Sequence, residues 1–140
     1  MTERCKLIRG GDASEGKTGV SYAAGVSATT AGARGLCLEV ATLPPGARAR
    51  AHLHANHESA AYVVSGEFVL WFGERLEERL VAGPGDFLYI PSGVPHLPAN
   101  ASVTEPAIAV LARTDPNENE SAVPLPELDS LLHLQVEPAR

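Results

Sequence analysis

From Leu36 onward the chain is a series of short apolar runs separated by Gly/Pro turns. LCLEVATL (36–43) ends at Pro44-Pro45-Gly46, and ARAHLH (49–54) follows. AYVVSGEFVLWFG (61–73) is rich in β-branched and aromatic side chains, with Phe68, Leu70 and Phe72 alternating against Glu67, Val69 and Trp71. RLEERLV (75–81), the turn Ala82-Gly83-Pro84-Gly85, DFLYIP (86–91) and AIAVLAR (107–113) complete the series. Alternation at period two marks half-buried strands, and many short strands between turns predict an all-β sandwich or barrel. The alternating stretch at 68–72 is assigned to barrel core, which in a small barrel also forms the wall of any pocket. The charged stretch 73–79 is assigned to a solvated hairpin end.

The flanks carry weaker patterns. Residues 10–35 are rich in Gly, Ala, Ser and Thr and predict loop with short extended pieces. From Thr114 the chain is acidic and carries Pro116, Pro124 and Pro126. PELDSLLHL (126–134) predicts one short helix: Pro126 suits a first helical position, and Leu128, Leu131 and Leu132 share a face. The expected organisation is one domain over residues 1–140, with its barrel core at 36–113. Segments 1–35 and 114–140 would then pack on the barrel or on a dimer partner.

Composition and charge narrow the function classes. The length of 140 residues suits one domain, and 44% hydrophobic with 20% charged residues excludes wholesale disorder. Residues 1–80 hold nine basic and nine acidic side chains, whereas 81–140 hold two basic and eight acidic. The acidic half would repel a phosphate backbone and no basic stripe offsets it, so no nucleic-acid partner is expected. No apolar run reaches the ~20 residues of a membrane span, and MTERCKLIRG lacks the long apolar stretch of a secretory leader. The two cysteines, Cys5 and Cys37, have no metal-ligand spacing, which points to a reducing cytoplasm. Gly11-x4-Gly16-Lys17-Thr18 matches a phosphate-loop pattern. That pattern works only between a buried strand and a long helix, and neither is predicted here, so the match is read as chance.

Five histidines occur, at 52, 54, 57, 96 and 133. His52 and His54 lie two apart in a strand-like run, so both imidazoles can point to one centre. Imidazole is the commonest metal-binding side chain, and Glu58 supplies a nearby carboxylate for a mixed N/O site. His96 follows the turn Pro91-Ser92-Gly93 and is held by Pro95, which would let it reach a site on a neighbouring strand.

These residues resemble the two cupin motifs. Gly85-x5-Pro91-x-Gly93-x2-His96-x3-Asn100 fits the second motif at every specified position, and Gly46-x5-His52-x-His54-x3-Glu58 fits the first up to its glutamate. The closing Gly66 lies one residue later than the usual pattern. The resemblance implies a small antiparallel jelly-roll barrel, similar to small single-domain bacterial cupins. It also implies His52, His54 and His96 as ligands of one divalent transition metal per chain, with Fe, Mn, Ni, Zn and Cu all compatible. Counted forward from His54 the metal carboxylate falls on Glu58; counted back from Gly66 it falls on Ser59. A slip of one residue turns a side chain to the other face, and a bulge could absorb it. The fourth ligand therefore stays open between Glu58 and His57.

The function expected from the resemblance is that of a small-molecule metalloenzyme, with dioxygenase, isomerase, decarboxylase and cyclase chemistry all permitted. The alternatives are a non-catalytic module that binds a metal or small molecule, and a structural dimer with an incidental metal. A homodimer is expected, with the N-terminal run and the Pro-rich tail covering sheet edges.

Overall fold

Period-two alternation becomes strand wherever both sides of the chain find something to bury against. In the computed structural model, which describes residues 3–11, 14–15, 19–117 and 121–134, eleven strands form. They are β1 (Ser14–Glu15), β2 (Ser21–Val26), β3 (Cys37–Leu43), β4 (His52–His54), β5 (Ser59–Ser65) and β6 (Phe68–Phe72). After them come β7 (Glu78–Ala82), β8 (Phe87–Ile90), β9 (His96–Ala99), β10 (Ala107–Arg113) and β11 (Ala122–Pro124). One antiparallel sheet runs β1-β2-β3-β10-β5-β8 and the other β11-β4-β9-β6-β7. Facing antiparallel sheets of this kind are the jelly-roll arrangement the motifs implied.

The inner faces make the core. Val20, Ala41, Leu43, Val63, Phe68, Ala107 and Ala109 are buried in one cluster between the sheets. A second cluster lies on the outer face of the five-stranded sheet, where Val69, Leu97 and Ala99 are buried by Leu128 and Leu134. The segment from Leu125 is thus a cover for that sheet. It forms two single turns of 3-10 helix, Pro126–Leu128 and Leu132–Leu134, where one continuous helix was expected. Leu132 is 84% exposed, so the expected face of Leu128, Leu131 and Leu132 does not form. Hydrogen bonds to the barrel set the path instead. The Ala51 amide donates to Asp129 Oδ1 at 2.7 Å, and the Arg48 guanidinium donates to the carbonyls of Asp129 and Leu134.

Two other expectations needed more than pattern. Between β2 and β3 lies a one-turn helix, α1 (Ala28–Ala31), closed at its start by a capping box of Ser27 and Thr30. The 73–79 stretch does form the β6–β7 hairpin end, but Leu76 within it is fully buried with φ +52°, under the C-terminal cover. Of the phosphate-loop match, Gly16, Lys17 and Thr18 lie outside the described residues, and the chain continues into β2 rather than a helix.

Candidate metal centre

Three strand segments bring the histidines together. Residues i and i+2 of a strand share a face, so β4 buries His52 and His54 on one side, 3% and 5% exposed. β9 pairs with β4 through His52 opposite His96, which is 2% exposed. The turn before β9 is fastened to β4: Gly93 N donates to the His54 carbonyl at 2.7 Å, and Ser92 Oγ donates to the carbonyls of His54 and Ala55. Gly93 sits at φ +80°, a left-handed conformation that favours glycine. At the end of β9, fully buried Asn100 donates to the carbonyls of Leu43, Pro44 and Glu105 and accepts from Ser102 N. The last residue of the second motif is therefore a staple between loops, away from the histidines.

His52, His54 and His96 each offer a ring nitrogen, all within 4.8 Å of one another. The hydrogen bonds fix which nitrogen. Nδ1 of His52 lies 2.7 Å from the Arg50 carbonyl and Nδ1 of His96 lies 2.9 Å from the Val94 carbonyl. A carbonyl oxygen only accepts, so Nδ1 carries the proton in both rings and Nε2 keeps its lone pair. Burial pushes His54 down to about 2, assisted by the neighbouring charges of His52, His96, His57 and Arg113 when protonated. Burial also brings His96 to about 3, with His52 adding to the effect and the bond to Val94 opposing it. Both rings are therefore neutral at pH 7, the form that binds metal. A transition-metal ion fits this donor set.

The carboxylate expected beside them is elsewhere. Arg113 pairs with Ser59 across the β10–β5 ladder, and directly opposed residues face the same side. Ser59 is accordingly buried beside Arg113 on the cavity wall, while Glu58, one residue earlier, faces outward. Glu58 accepts a hydrogen bond from the Tyr89 hydroxyl at 2.7 Å, which raises the Tyr89 phenol above its ordinary value. The bulge that was to absorb the extra residue occurs at Val64, well past Glu58, and does not turn it inward. His57 is buried with its ring 4.5 Å from that of His54, but it is not one of the three with converging nitrogens. Its Nδ1 lies 2.8 Å from Ser121 Oγ and 3.7 Å from Asp115 Oδ2.

The histidines form one end of a cavity of about 80 Å³ between the sheets, otherwise lined mainly by apolar residues such as Ala41, Phe68, Leu70 and Leu88. Arg113 closes part of its wall in a buried ion pair with Glu39, and Arg113 also donates to the Asn117 carbonyl and touches Cys37 Sγ. The reading of the sequence did not single out this pair. Its signal was present: Glu39 and Arg113 fall in phase with the inward positions of LCLEVATL and AIAVLAR, where a charge demands a partner.

The comparisons with known proteins agree with this architecture. No curated protein matches the sequence. KdgF from Halomonas sp. is similar in structure, with TM-score 0.63 at 20% identity over 81% of this chain and 96% of that one. TT1209 from Thermus thermophilus gives TM-score 0.55 at 23% identity over 69% of this chain and 83% of that one. Oxalate decarboxylase from Bacillus subtilis gives TM-score 0.66 at 21% identity, with 89% of this chain covering 34% of that longer one. At such identities these likenesses speak for the fold alone. The family pattern described as a cupin domain matches residues 39–112, more than half the sequence, and the chain belongs to the cupin family.

Proposed function

We propose that this cupin is a mononuclear metalloenzyme acting on a small molecule, with His52, His54 and His96 as the metal ligands. The observation that carries the reading is three buried imidazoles with ring nitrogens within 4.8 Å, two of them held by backbone carbonyls in the metal-binding tautomer. A divalent transition metal there supplies Lewis acidity, or a site for dioxygen if it is redox-active. The chain's own contribution is to hold the three rings, to keep His54 and His96 neutral by burial, and to wall the site with apolar side chains that exclude water. The competing reading, a binding module without turnover, keeps the same ligands.

Elemental analysis of protein purified without a histidine tag is the test. One metal per chain, reduced to a small fraction by His96→Ala with the β-sheet circular dichroism intact, supports the centre; metal retained by His96→Ala refutes it. Oxygen-uptake and metabolite screening then separate enzyme from binding module. Turnover supports the enzyme, and a bound metal with no turnover of any metabolite class gives the module.

The proposal includes a homodimer in the cytoplasm. Strand β11 of the tail pairs with β4 within the chain, so the pairing surface is assigned elsewhere. It is the outer face of the six-stranded sheet: Leu38, Val40, Tyr62, Val64 and Phe87 are all exposed there, and a second copy offers the same apolar strip. Light scattering that gives a monomer mass at high micromolar concentration would refute it. Exposed Cys5 and buried Cys37 are not joined in a disulfide, which fits a reducing compartment. No helix among the described residues is long and apolar enough to cross a membrane.

A further inference from the structure

The two sheets part at one side. β7 ends the five-stranded sheet and β8 ends the six-stranded sheet, and the two do not pair with each other. Leu80 of β7 lies opposite Leu70 in the ladder and so shares its inward face. Leu70 is 4% exposed, yet Leu80 is 47% exposed. An inward leucine half in water means that the facing sheet does not reach it. The gap is a groove of about 270 Å³, lined by Leu70, Phe72, Leu80, Tyr89, Ile90 and His96 among others. Leu70, Ile90 and His96 also line the cavity that holds the histidine group. The groove therefore leads to His96, and its size is near the lower end for a small-molecule site.

Charge selects the other end of the ligand. The donor set is three imidazoles, and an imidazole that donates its lone pair to a metal brings no charge. Among the described residues no carboxylate joins the converging nitrogens: Glu58 faces outward to Tyr89, Glu39 is committed to Arg113, and Asp115 lies 3.7 Å from His57 Nδ1. A buried, uncompensated cation attracts an anion.

We propose that the β7–β8 groove is the second half of the binding site and takes the apolar body of an amphipathic molecule whose single anionic oxygen head lies at His52, His54 and His96. This rests on the metal reading above. It commits the groove to a small molecule, because the depression is concave and opens onto His96, whereas the surface suited to a second copy is the outer sheet face.

The test is calorimetric titration of the zinc-loaded full chain with acetate, butanoate, hexanoate and octanoate. The expected result is affinity that rises up to about fourfold per methylene until the groove is filled. Leu80→Asn should flatten that rise. Val81→Asp, at an exposed neighbour outside the groove, should keep it. Zinc that fails to bind overturns the metal reading and this proposal with it. Zinc and acetate bound with no gain on lengthening the chain overturns the groove alone, as does a slope unchanged by Leu80→Asn or lost equally in Val81→Asp. A halved mass in light scattering for Leu80→Asn would assign the groove to a second copy and also overturn the proposal.

Discussion

The most exposed consequence of this fold concerns the charge pair inside it. Arg113 and Glu39 have side chains 1% and 2% exposed and sit on the cavity wall. Replacing Glu39 by Gln keeps the shape but removes a buried countercharge; the Asn117 carbonyl and the Cys37 thiol that Arg113 also touches are both uncharged partners. Breaking a buried pair from one side costs about 3–5 kcal/mol, because the remaining guanidinium stays out of water while losing the Glu39 carboxylate. With an unfolding entropy of about 0.3 kcal/mol/K for this chain length, Glu39→Gln should lower Tm by about 10–17 °C. Removing both charges should cost far less, since an apolar pair of similar volume often replaces a buried ion pair without loss. Thermal unfolding followed by circular dichroism on Glu39→Gln, Arg113→Met and Glu39→Leu/Arg113→Met makes the comparison. A Tm drop below about 3 °C for Glu39→Gln, or a double variant as unstable as the sum of the singles, would refute the reasoning.

Three other outcomes are expected. Glu58→Ala should leave the metal content per chain unchanged, and Ser59→Glu should tighten zinc binding by placing a carboxylate on the inward face; metal lost with Glu58→Ala would mean the outward orientation is wrong. His54 and His96 are held at about 2 and about 3, below the ordinary 6.5. Below pH 6.5 the unfolded state therefore binds more protons, so the metal-free protein should lose stability as pH falls from 6.5 to 4.5, by at most about 1.4 kcal/mol per unit for each ring. Melting curves that stay flat across that window would contradict it. Leu134→Ala should cost about 2–5 kcal/mol in urea unfolding, since Leu134 is fully buried against the five-stranded sheet, whereas Leu132→Ala should cost almost nothing.

Much of the barrel was legible because its signal is local. Alternation and turn residues mark strands directly, and β3, β6, β8 and β10 fall within the runs that predicted them. The C-terminal segment was misread for a tertiary reason. Its leucines at helical spacing suggested one amphipathic helix, but the partner is a flat sheet face, and the Asp129 and Arg48 hydrogen bonds break the segment into separate turns. Burial of Val69 and Leu97 on the outer face was hidden for the same reason, since strand pattern alone does not say which sheet face acquires a cover.

The site divides along the same line. His52 and His54 share a face by strand parity alone, and His96 entered with its motif, although nothing in its own run states that it lies opposite His52. The carboxylate depends on a quantity that spacing cannot supply: the strand phase after the loop at Ala55–Glu58. That phase is set by β10, a strand some fifty residues away, through Arg113 opposite Ser59 and the Thr114 hydroxyl accepting from the Glu58 amide at 3.1 Å. Arg113 must face inward to reach Glu39, so Ser59 faces inward beside it and Glu58 cannot. The buried ion pair thereby sets which of Ser59 and Glu58 faces the cavity. Because the inward residue is a serine, the protein supplies no charge at that position, and the cation proposed there would draw its negative charge from the ligand.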